Sequence, residues 1–300
     1  MTRYGFSRHS PRRRRDSYMV KRIALALAAT VLTAPVANAQ DWDAIRAAWN
    51  KPTEPFRIIG NIYYVGTAKL SAFLITDPSG HILLDGALAE SAPQIAANIE
   101  KLGFHLRDVK VLMVNHAHWD HSGGLAQLKQ LTGARLLASA ADKPGLEAGT
   151  LDYRPPTPRH APKVTVDGIL EEGTEIRIGD TVLTAHMTPG HTKGCTSWSM
   201  RAGGYNVMFA GSMTVMGQPL RRGEGYDNAV GDFRATFAKL RAMPADIFLS
   251  FHGEVFDMEA KLARLKAGDA NAFVDPGEIK RRVDAAEAAF EIDLAKQLSQ

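Results

Sequence analysis

Residues 116–121 of this 300-residue chain read His-Ala-His-Trp-Asp-His and place three imidazoles and one carboxylate within six positions. The segment follows an apolar run at residues 111–114, which is typical of a buried strand, and precedes leucines at helical spacing. The cluster is therefore predicted on a strand-to-helix turn, at the sheet edge where open α/β folds place their sites. Because these groups are costly to bury without a cation, and imidazole suits zinc, the motif predicts a metal site rather than a solvated polar loop.

The charge distribution separates the first 39 residues from the rest of the chain. The formal charge is +4, but residues 1–39 carry eight basic residues and one acid, a net +7 that leaves −3 for residues 40–300. The mature part therefore offers no basic surface for nucleic acid. The single cysteine, Cys195, excludes internal disulfides, so stability must come from a packed core, in which Cys195 is expected as a small buried residue.

The N-terminal segment has the organisation of a secretory signal peptide. Lys21-Arg22 precedes an apolar run at residues 23–32 that is too short to span a bilayer. Ala37-Asn38-Ala39 then provides a cleavage site of the small-x-small type. We expect residues 1–39 to be removed, and a retained membrane anchor is the weaker alternative.

The mature chain, residues 40–300, is expected to be a single domain in the periplasm, with no membrane segment. Two points about export stay open. Met19 is an alternative start, and Arg14-Arg15 offers a twin-arginine signal as an alternative to the general secretory route.

Apolar runs alternate between predicted strands and helices twice along the mature chain. Strands are predicted at residues 57–65, 72–85, 109–114, 175–185, 196–210 and 247–250, and helices at residues 95–102, 125–131, 228–240, 258–265 and 275–290. This order favours an α/β fold in which two mixed β-sheets pack together with helices outside, an αββα sandwich. The proline-rich residues 143–165 are predicted to form a long loop, and His81 and His105 are assigned to the surface.

Two more histidines follow predicted strands. His191 lies in Pro189-Gly190-His191-Thr192, after a strand that ends near Ala185, and His252 follows the strand at residues 247–250. In the predicted sandwich both positions are strand ends, as is the motif at residues 116–121. The three segments are therefore candidates for one site.

These motifs resemble those of the metallo-β-lactamase fold superfamily, and within it those of the subclass B3 metallo-β-lactamases. The resemblance runs from about Ala48 to the C-terminus and includes Pro55–Ile58, Tyr64–Ala68, Asn115–His118 and Phe273–Pro276. It implies the αββα fold and two zinc ions as cofactors. The first zinc would be held by His116, His118 and His191, and the second by Asp120, His121 and His252.

The resemblance implies an enzyme that hydrolyses the amide bond of penicillins, cephalosporins and carbapenems with a hydroxide shared by the zinc ions, giving antibiotic resistance. Asp120 would ligate the second zinc and orient the nucleophile. The hydroxyls of Ser212 and Thr214 would hold the substrate carboxylate. A monomer that acts on a small-molecule β-lactam, with no nucleic-acid partner, is expected.

Two alternatives stay open. Glyoxalase-type hydrolases and lactonases of the superfamily place a bridging aspartate where residues 210–214 of this chain read Ala-Gly-Ser-Met-Thr. A dizinc hydrolase of lactones or other esters is still the first alternative, because it would share every metal ligand. An exported zinc-binding protein without turnover is the least favoured, because structural zinc sites are closed. Residues 219–224 and the segment after His252 depart from the family pattern.

Overall fold

Two mixed β-sheets form the centre of the part of the chain that this computed structural model describes, residues 42–153 and 159–300. The first sheet has seven strands that follow one another in sequence order: β1 (Phe56–Ile59), β2 (Ile62–Tyr64), β3 (Phe73–Asp77), β4 (Gly80–Leu84), β5 (Val109–Met113), β6 (Arg135–Ser139) and β7 (Gly168–Leu170). Strands β1 to β4 pair antiparallel, and β4 to β7 pair parallel.

The second sheet has five strands: β8 (Glu175–Ile178), β9 (Thr181–Met187), β10 (Thr196–Ala202), β11 (Tyr205–Ala210) and β12 (Ile247–Ser250). Their order in the sheet is β12-β11-β10-β9-β8. Strands β11 and β12 pair parallel, and the other neighbours pair antiparallel. The helices are α1 (Trp42–Trp49), α2 (Ala92–Lys101), α3 (Trp119–Ser122), α4 (Leu125–Thr132), α5 (Lys143–Ala148), α6 (Ala229–Ala242), α7 (Met258–Lys266) and α8 (Glu278–Leu298).

Alternation of side chains along the inner strands explains the layers. On β4, Ile82 and Leu84 belong to the core between the sheets, whereas Leu83 belongs to a second core beneath α2 and α4. A strand covered on both faces needs apolar residues at every position, which is why these strands read as continuous apolar runs. On the far side, α6 and α8 pack on the second sheet through Phe233, Phe237 and Phe290. The predicted αββα sandwich is therefore confirmed.

Three sequence-based expectations need correction. Residues 143–148 of the predicted long loop form helix α5, because its proline lies in the first turn, where no backbone N–H is needed. Helix α8 begins at Glu278 rather than at Asp275, since the Asp275 carboxylate accepts the N–H of Gly277 at 3.1 Å and closes a turn there. His81 is 7% exposed and lies edge-on to Phe104, because β4 is an inner strand of the sheet.

The parallel strands of both sheets end at the same side of the sandwich. The motif at residues 116–121 follows β5, Ser212 follows β11, and His252 follows β12. Trp42–Gln300 form one compact unit, and the predicted signal peptide lies outside the described residues. Within the described residues, none of the helices has the length and apolar character needed to cross a membrane.

Candidate metal centre

Three histidines form the first of two groups of convergent ligand atoms. His116 Nε2 and His191 Nε2 each lie 2.9 Å from His118 Nδ1. His116 and His118 come from the turn after β5, whereas His191 comes from the loop between β9 and β10. The first group therefore joins a loop from each sheet.

Asp120, His121 and His252 form the second group. His252 Nε2 lies 3.2 Å from His121 Nε2 and 3.4 Å from Asp120 Oδ2. His121 Nε2 and Asp120 Oδ2 are 3.5 Å apart. Asp120 and His121 lie on α3, a single helical turn inside the motif, and His252 follows β12. The two groups adjoin, because the ring centroids of His116 and His121 are 4.3 Å apart.

Hydrogen bonds behind the rings aim lone pairs into the first group. His116 Nδ1–H donates to Asn115 Oδ1, and His191 Nδ1–H donates to the carbonyl of Thr214 at 2.6 Å. In the neutral rings both Nε2 atoms therefore carry lone pairs, and both face His118 Nδ1, which can carry at most one proton. At least one of these nitrogen–nitrogen contacts has no hydrogen to share, and a cation would resolve that repulsion.

The spacing of both groups fits a tetrahedral metal ion. Imidazole nitrogens bind zinc at about 2.0–2.1 Å, so two ligand atoms on one such ion lie about 3.3 Å apart. In the first group His118 Nδ1 lies 2.9 Å from each of the other two ligand atoms, and in the second group the three atoms are 3.2–3.5 Å apart. The structure thus brings together, as two sets of three, the six residues that the sequence analysis named as ligands.

Asp85 is a buried carboxylate that the sequence analysis did not identify. It follows β4, is 0% exposed, and its Oδ2 accepts the Nδ1–H of His121 at 2.8 Å. Its Oδ1 accepts the backbone N–H of Asn115 at 2.8 Å, and the Asn115 side-chain amide donates to Oδ2. Its φ of +68° is uncommon for a residue with a Cβ, though aspartate tolerates it better than most. Asp85 therefore orients His121 of the second group directly and His116 of the first group through Asn115.

The electrostatic surroundings prepare these side chains as ligands. Burial would raise the pKa of Asp120, but the imidazoles of His121 and His252 outweigh burial and hold that pKa well below its usual range. Burial lowers the pKa of His116, and the neighbouring imidazoles lower it further, so its ring is neutral. Burial would also lower the pKa of His121, but Asp120 and Asp85 raise it above its usual value. The result is an ionised carboxylate at Asp120 and a neutral ring at His116, both able to bind a cation, while the two carboxylates favour the protonated form of His121, whose proton a metal would displace.

The two hydroxyls proposed from the sequence lie beside the first group. Ser212 Oγ is 3.2 Å from Thr214 Oγ1, and Thr214 Oγ1 is 3.5 Å from His191 Nδ1. Ser212 is half-buried and Thr214 is exposed, so a ligand can reach both. Cys195 is buried behind them, and burial raises the pKa of its thiol. This placement agrees with Cys195 as a core residue.

A tryptophan cluster next to the second group was not anticipated from the sequence. Trp49 stacks on Trp119 with centroids 6.2 Å apart and meets the ring of His252 edge-on at 5.3 Å. Trp42 packs edge-on against both tryptophans, and the guanidinium of Arg159 lies 4.1 Å from the centroid of Trp42. Trp119 belongs to the motif, but Trp42 and Trp49 are distant in sequence. Their position beside the second ligand group depends on where helix α1 packs against the rest of the protein, which the local sequence does not reveal.

An αββα sandwich with two adjoining ligand groups at its strand ends defines a metal-dependent hydrolase. This chain belongs to the metallo-beta-lactamase superfamily, whose sequence profile matches residues 68–252. That range includes all six candidate ligands.

Solved structures of metallo-beta-lactamases are similar to this chain over nearly their whole length. A metallo-beta-lactamase of Cronobacter sakazakii is 41% identical, with a TM-score of 0.83, over 85% of this chain and 100% of that one. BJP-1, a subclass B3 enzyme of Bradyrhizobium japonicum, is 44% identical, with a TM-score of 0.79, over 84% and 97%. FEZ-1 of Legionella gormanii is 36% identical, with a TM-score of 0.77, over 83% and 98%.

Curated relatives with a different name are also similar. A hydroxyacylglutathione hydrolase of Cereibacter sphaeroides is 29% identical over 204 residues, which is 64% of this chain and 65% of that protein. One from Rhodopseudomonas palustris is 34% identical over 120 residues, 40% of this chain and 39% of that protein. The chain thus spans less than two thirds of the length of these relatives.

Proposed function

We propose that this chain is an exported zinc β-lactamase that hydrolyses the amide bond of β-lactams. The observation that carries the proposal is the make-up of the site. Among the described residues, Asp120 supplies the sole carboxylate of the two ligand groups, and a serine, Ser212, follows β11 where a bridging aspartate would mark an esterase-type relative. Similarity over at least 97% of the length of three metallo-beta-lactamases supports the same conclusion.

The residues have separable tasks in this reaction. Zinc, when bound, would lower the pKa of water to about 7 and polarise the lactam carbonyl. His116, His118 and His191 would hold one ion, and Asp120, His121 and His252 the other, which leaves each with an open position. Asp120 is ionised, so the oxygen that it does not give to the metal can accept a hydrogen bond from the attacking water and orient it. The hydroxyls of Ser212 and Thr214 would donate to the substrate carboxylate.

The test is hydrolysis by the full chain, expressed in bacteria and recovered from the periplasmic fraction. A penicillin, a cephalosporin and a carbapenem would each be assayed with a zinc chelator and after zinc is restored. We expect turnover that the chelator abolishes and zinc restores, and none in His118→Ala. We also expect a mature N-terminus at Gln40, since export is proposed from residues 1–39 alone. A cytoplasmic, unprocessed product would contradict export without bearing on the chemistry.

A hydrolase of lactones or other esters is the second candidate, and the similarity to hydroxyacylglutathione hydrolases favours it. The same preparation separates the two functions when it is assayed on a hydroxyacylglutathione and on a lactone. Turnover of either, with no β-lactam hydrolysis by protein that binds two zinc ions, would replace the first proposal with the second.

A further inference from the structure

The carboxylate of Asp142 connects the two loops that carry the first ligand group. Asp142 lies between β6 and α5 and is 1% exposed. Its Oδ2 accepts the backbone N–H of Ala117 at 2.9 Å, and Ala117 stands between His116 and His118. The same oxygen accepts a hydrogen bond from the hydroxyl of Thr192 at 2.9 Å. Thr192 directly follows His191, the third ligand of the first group.

The other carboxylate oxygen of Asp142 binds a second point on the loop between β9 and β10. Asp142 Oδ1 accepts the N–H of Gly194 at 3.0 Å. The loop approaches so closely that a Cβ on Gly194 would lie 2.1 Å from Ser139 Oγ and 2.6 Å from the backbone nitrogen of Asp142. Residue 194 must therefore be glycine for the loop to reach the carboxylate.

We propose that Asp142 is a positioning residue for the first metal ion. His116 and His118 come from the first sheet, whereas His191 comes from the second sheet, so their separation depends on how the two loops are joined. Asp142 joins them through backbone groups and one hydroxyl, and so sets the spacing of the three nitrogens before a metal binds. Its task differs from that of Asp85, which bonds a ligand ring directly.

The proposal rests on the proposed metal site but not on the identity of the substrate. It predicts that a change at Asp142 weakens one of the two bound metals selectively. Asp142→Asn keeps the shape of the side chain but replaces one acceptor oxygen by an NH₂ group, which cannot accept an N–H. At Oδ2 the replacement breaks the bond from Ala117, and at Oδ1 it breaks the bond from Gly194, so in either orientation one loop is held less firmly.

The experiment is a zinc titration of the metal-free full chain against a chromophoric chelator. We expect Asp142→Asn to bind one zinc equivalent about 10- to 100-fold more weakly than the wild type, and the other equivalent as tightly as before. Metal-free and zinc-loaded melting temperatures form a second readout. Because the variant binds zinc more weakly, zinc should raise its melting temperature less than it raises that of the wild type.

Two variants make the test specific. Thr192→Val removes only the hydroxyl bond, so it should weaken the same equivalent by a smaller factor. Asp246→Asn is the matched control, because Asp246 Oδ2 also accepts a backbone N–H, that of Asn206 at 2.8 Å, but at the opposite end of β11 and β12. Its zinc affinities should equal those of the wild type.

Equal affinities of folded Asp142→Asn and the wild type for both equivalents would overturn the proposal. Equal weakening of both equivalents would overturn it too, since that result indicates a general structural role. If Asp142→Asn does not fold, Thr192→Val decides: selective loss supports the proposal, and wild-type affinity refutes it. If the chain binds two zinc ions without hydrolysing β-lactams, the proposed function fails while this inference stands.

Discussion

Which nitrogen of each histidine faces the ligand group depends on what the opposite nitrogen bonds. His116 and His191 present Nε2 because each uses its Nδ1–H on an oxygen behind it, an amide in one case and a backbone carbonyl in the other. His118 presents Nδ1 instead. The sequence indicates that these side chains are ligands, but it cannot indicate the tautomer, because the acceptors lie elsewhere in the fold.

Ser212→Ala should raise KM for a β-lactam about 10-fold while kcat changes little. A hydroxyl that donates to the substrate carboxylate in both the ground state and the transition state contributes uniform binding, and a hydrogen bond to a charged group stabilises by about 1.5 kcal/mol or more. Steady-state kinetics with one penicillin measures both constants. Ser199→Ala is the control, since Ser199 Oγ bonds His186 at 2.8 Å, and His186 is not a candidate ligand. A fall in kcat at constant KM would contradict the anchoring role.

The strand ends, more than any single motif, assemble the site. Asp85, His116 and Asp142 follow the neighbouring parallel strands β4, β5 and β6, and His252 follows β12 of the other sheet. Parallel strands bring their carboxyl ends to one edge, so residues distant in sequence meet there. Helix α1 is different, because none of its residues is buried, and its last residue, Trp49, reaches His252 of the second ligand group from outside the sheets.

Trp49→Ala should speed the loss of one zinc equivalent to a chelator by about 10-fold, because the indole covers one side of His252 and limits the access of solvent to it. The cost in stability should be small, about 1–2 kcal/mol, since the ring is only half-buried. Stopped-flow absorbance with a chromophoric chelator measures the rate. Trp42→Ala removes a ring of the same cluster that packs on Trp49 rather than on His252, and it should lose zinc at the wild-type rate. Equal rates in Trp49→Ala and the wild type would show that α1 does not shield the metal.

The two sheets are also joined at a second place, by Asp77 at the end of β3. Its Oδ1 accepts the N–H of Ser79 at 2.9 Å within its own hairpin. Its Oδ2 accepts the N–H groups of Asp180 and Thr181, at 3.1 Å and 3.2 Å, in the hairpin between β8 and β9. The hydrogen bond from Ser79 contributes most to holding the pKa of Asp77 below its usual 3.8. The hydrogen bonds from Thr181 and Asp180 lower this pKa further.

Asp77→Asn should therefore destabilise the protein most at neutral pH, and the difference from the wild type should shrink in acid. A carboxyl whose pKa is lowered by folding stabilises the folded state above its unfolded pKa, near 3.8, and that contribution is lost as pH falls through the lower, folded value. Urea unfolding of metal-free protein at a series of pH values measures the difference. Asp180→Asn, at a neighbouring exposed carboxylate, is the control for the loss of one negative charge at this place. A difference that stays constant from neutral pH to pH 3 would refute the role of ionised Asp77.

The sequence by itself predicted the two-sheet sandwich, most of its strands and helices and the six candidate ligands, but not strands β6 and β7 or helix α1. These follow from local signals, since apolar runs of strand length stand beside turn residues and the ligand motifs lie directly after strands. The prediction was wrong where a local sequence pattern is compatible with two different structures. The proline of α5 is as compatible with a first helical turn as with a loop, and His81 is polar but lies on an inner strand.

Only the tertiary structure decided how the ligands are held. Asp85 and Asp142 occupy segments with no motif, and each becomes important because it meets a loop that lies 25 or more positions away in sequence. Trp49 reaches His252 only through the docking of α1. A side chain that orients a ligand can come from any strand end, so its identity depends on packing between elements and not on the residues next to it in the chain.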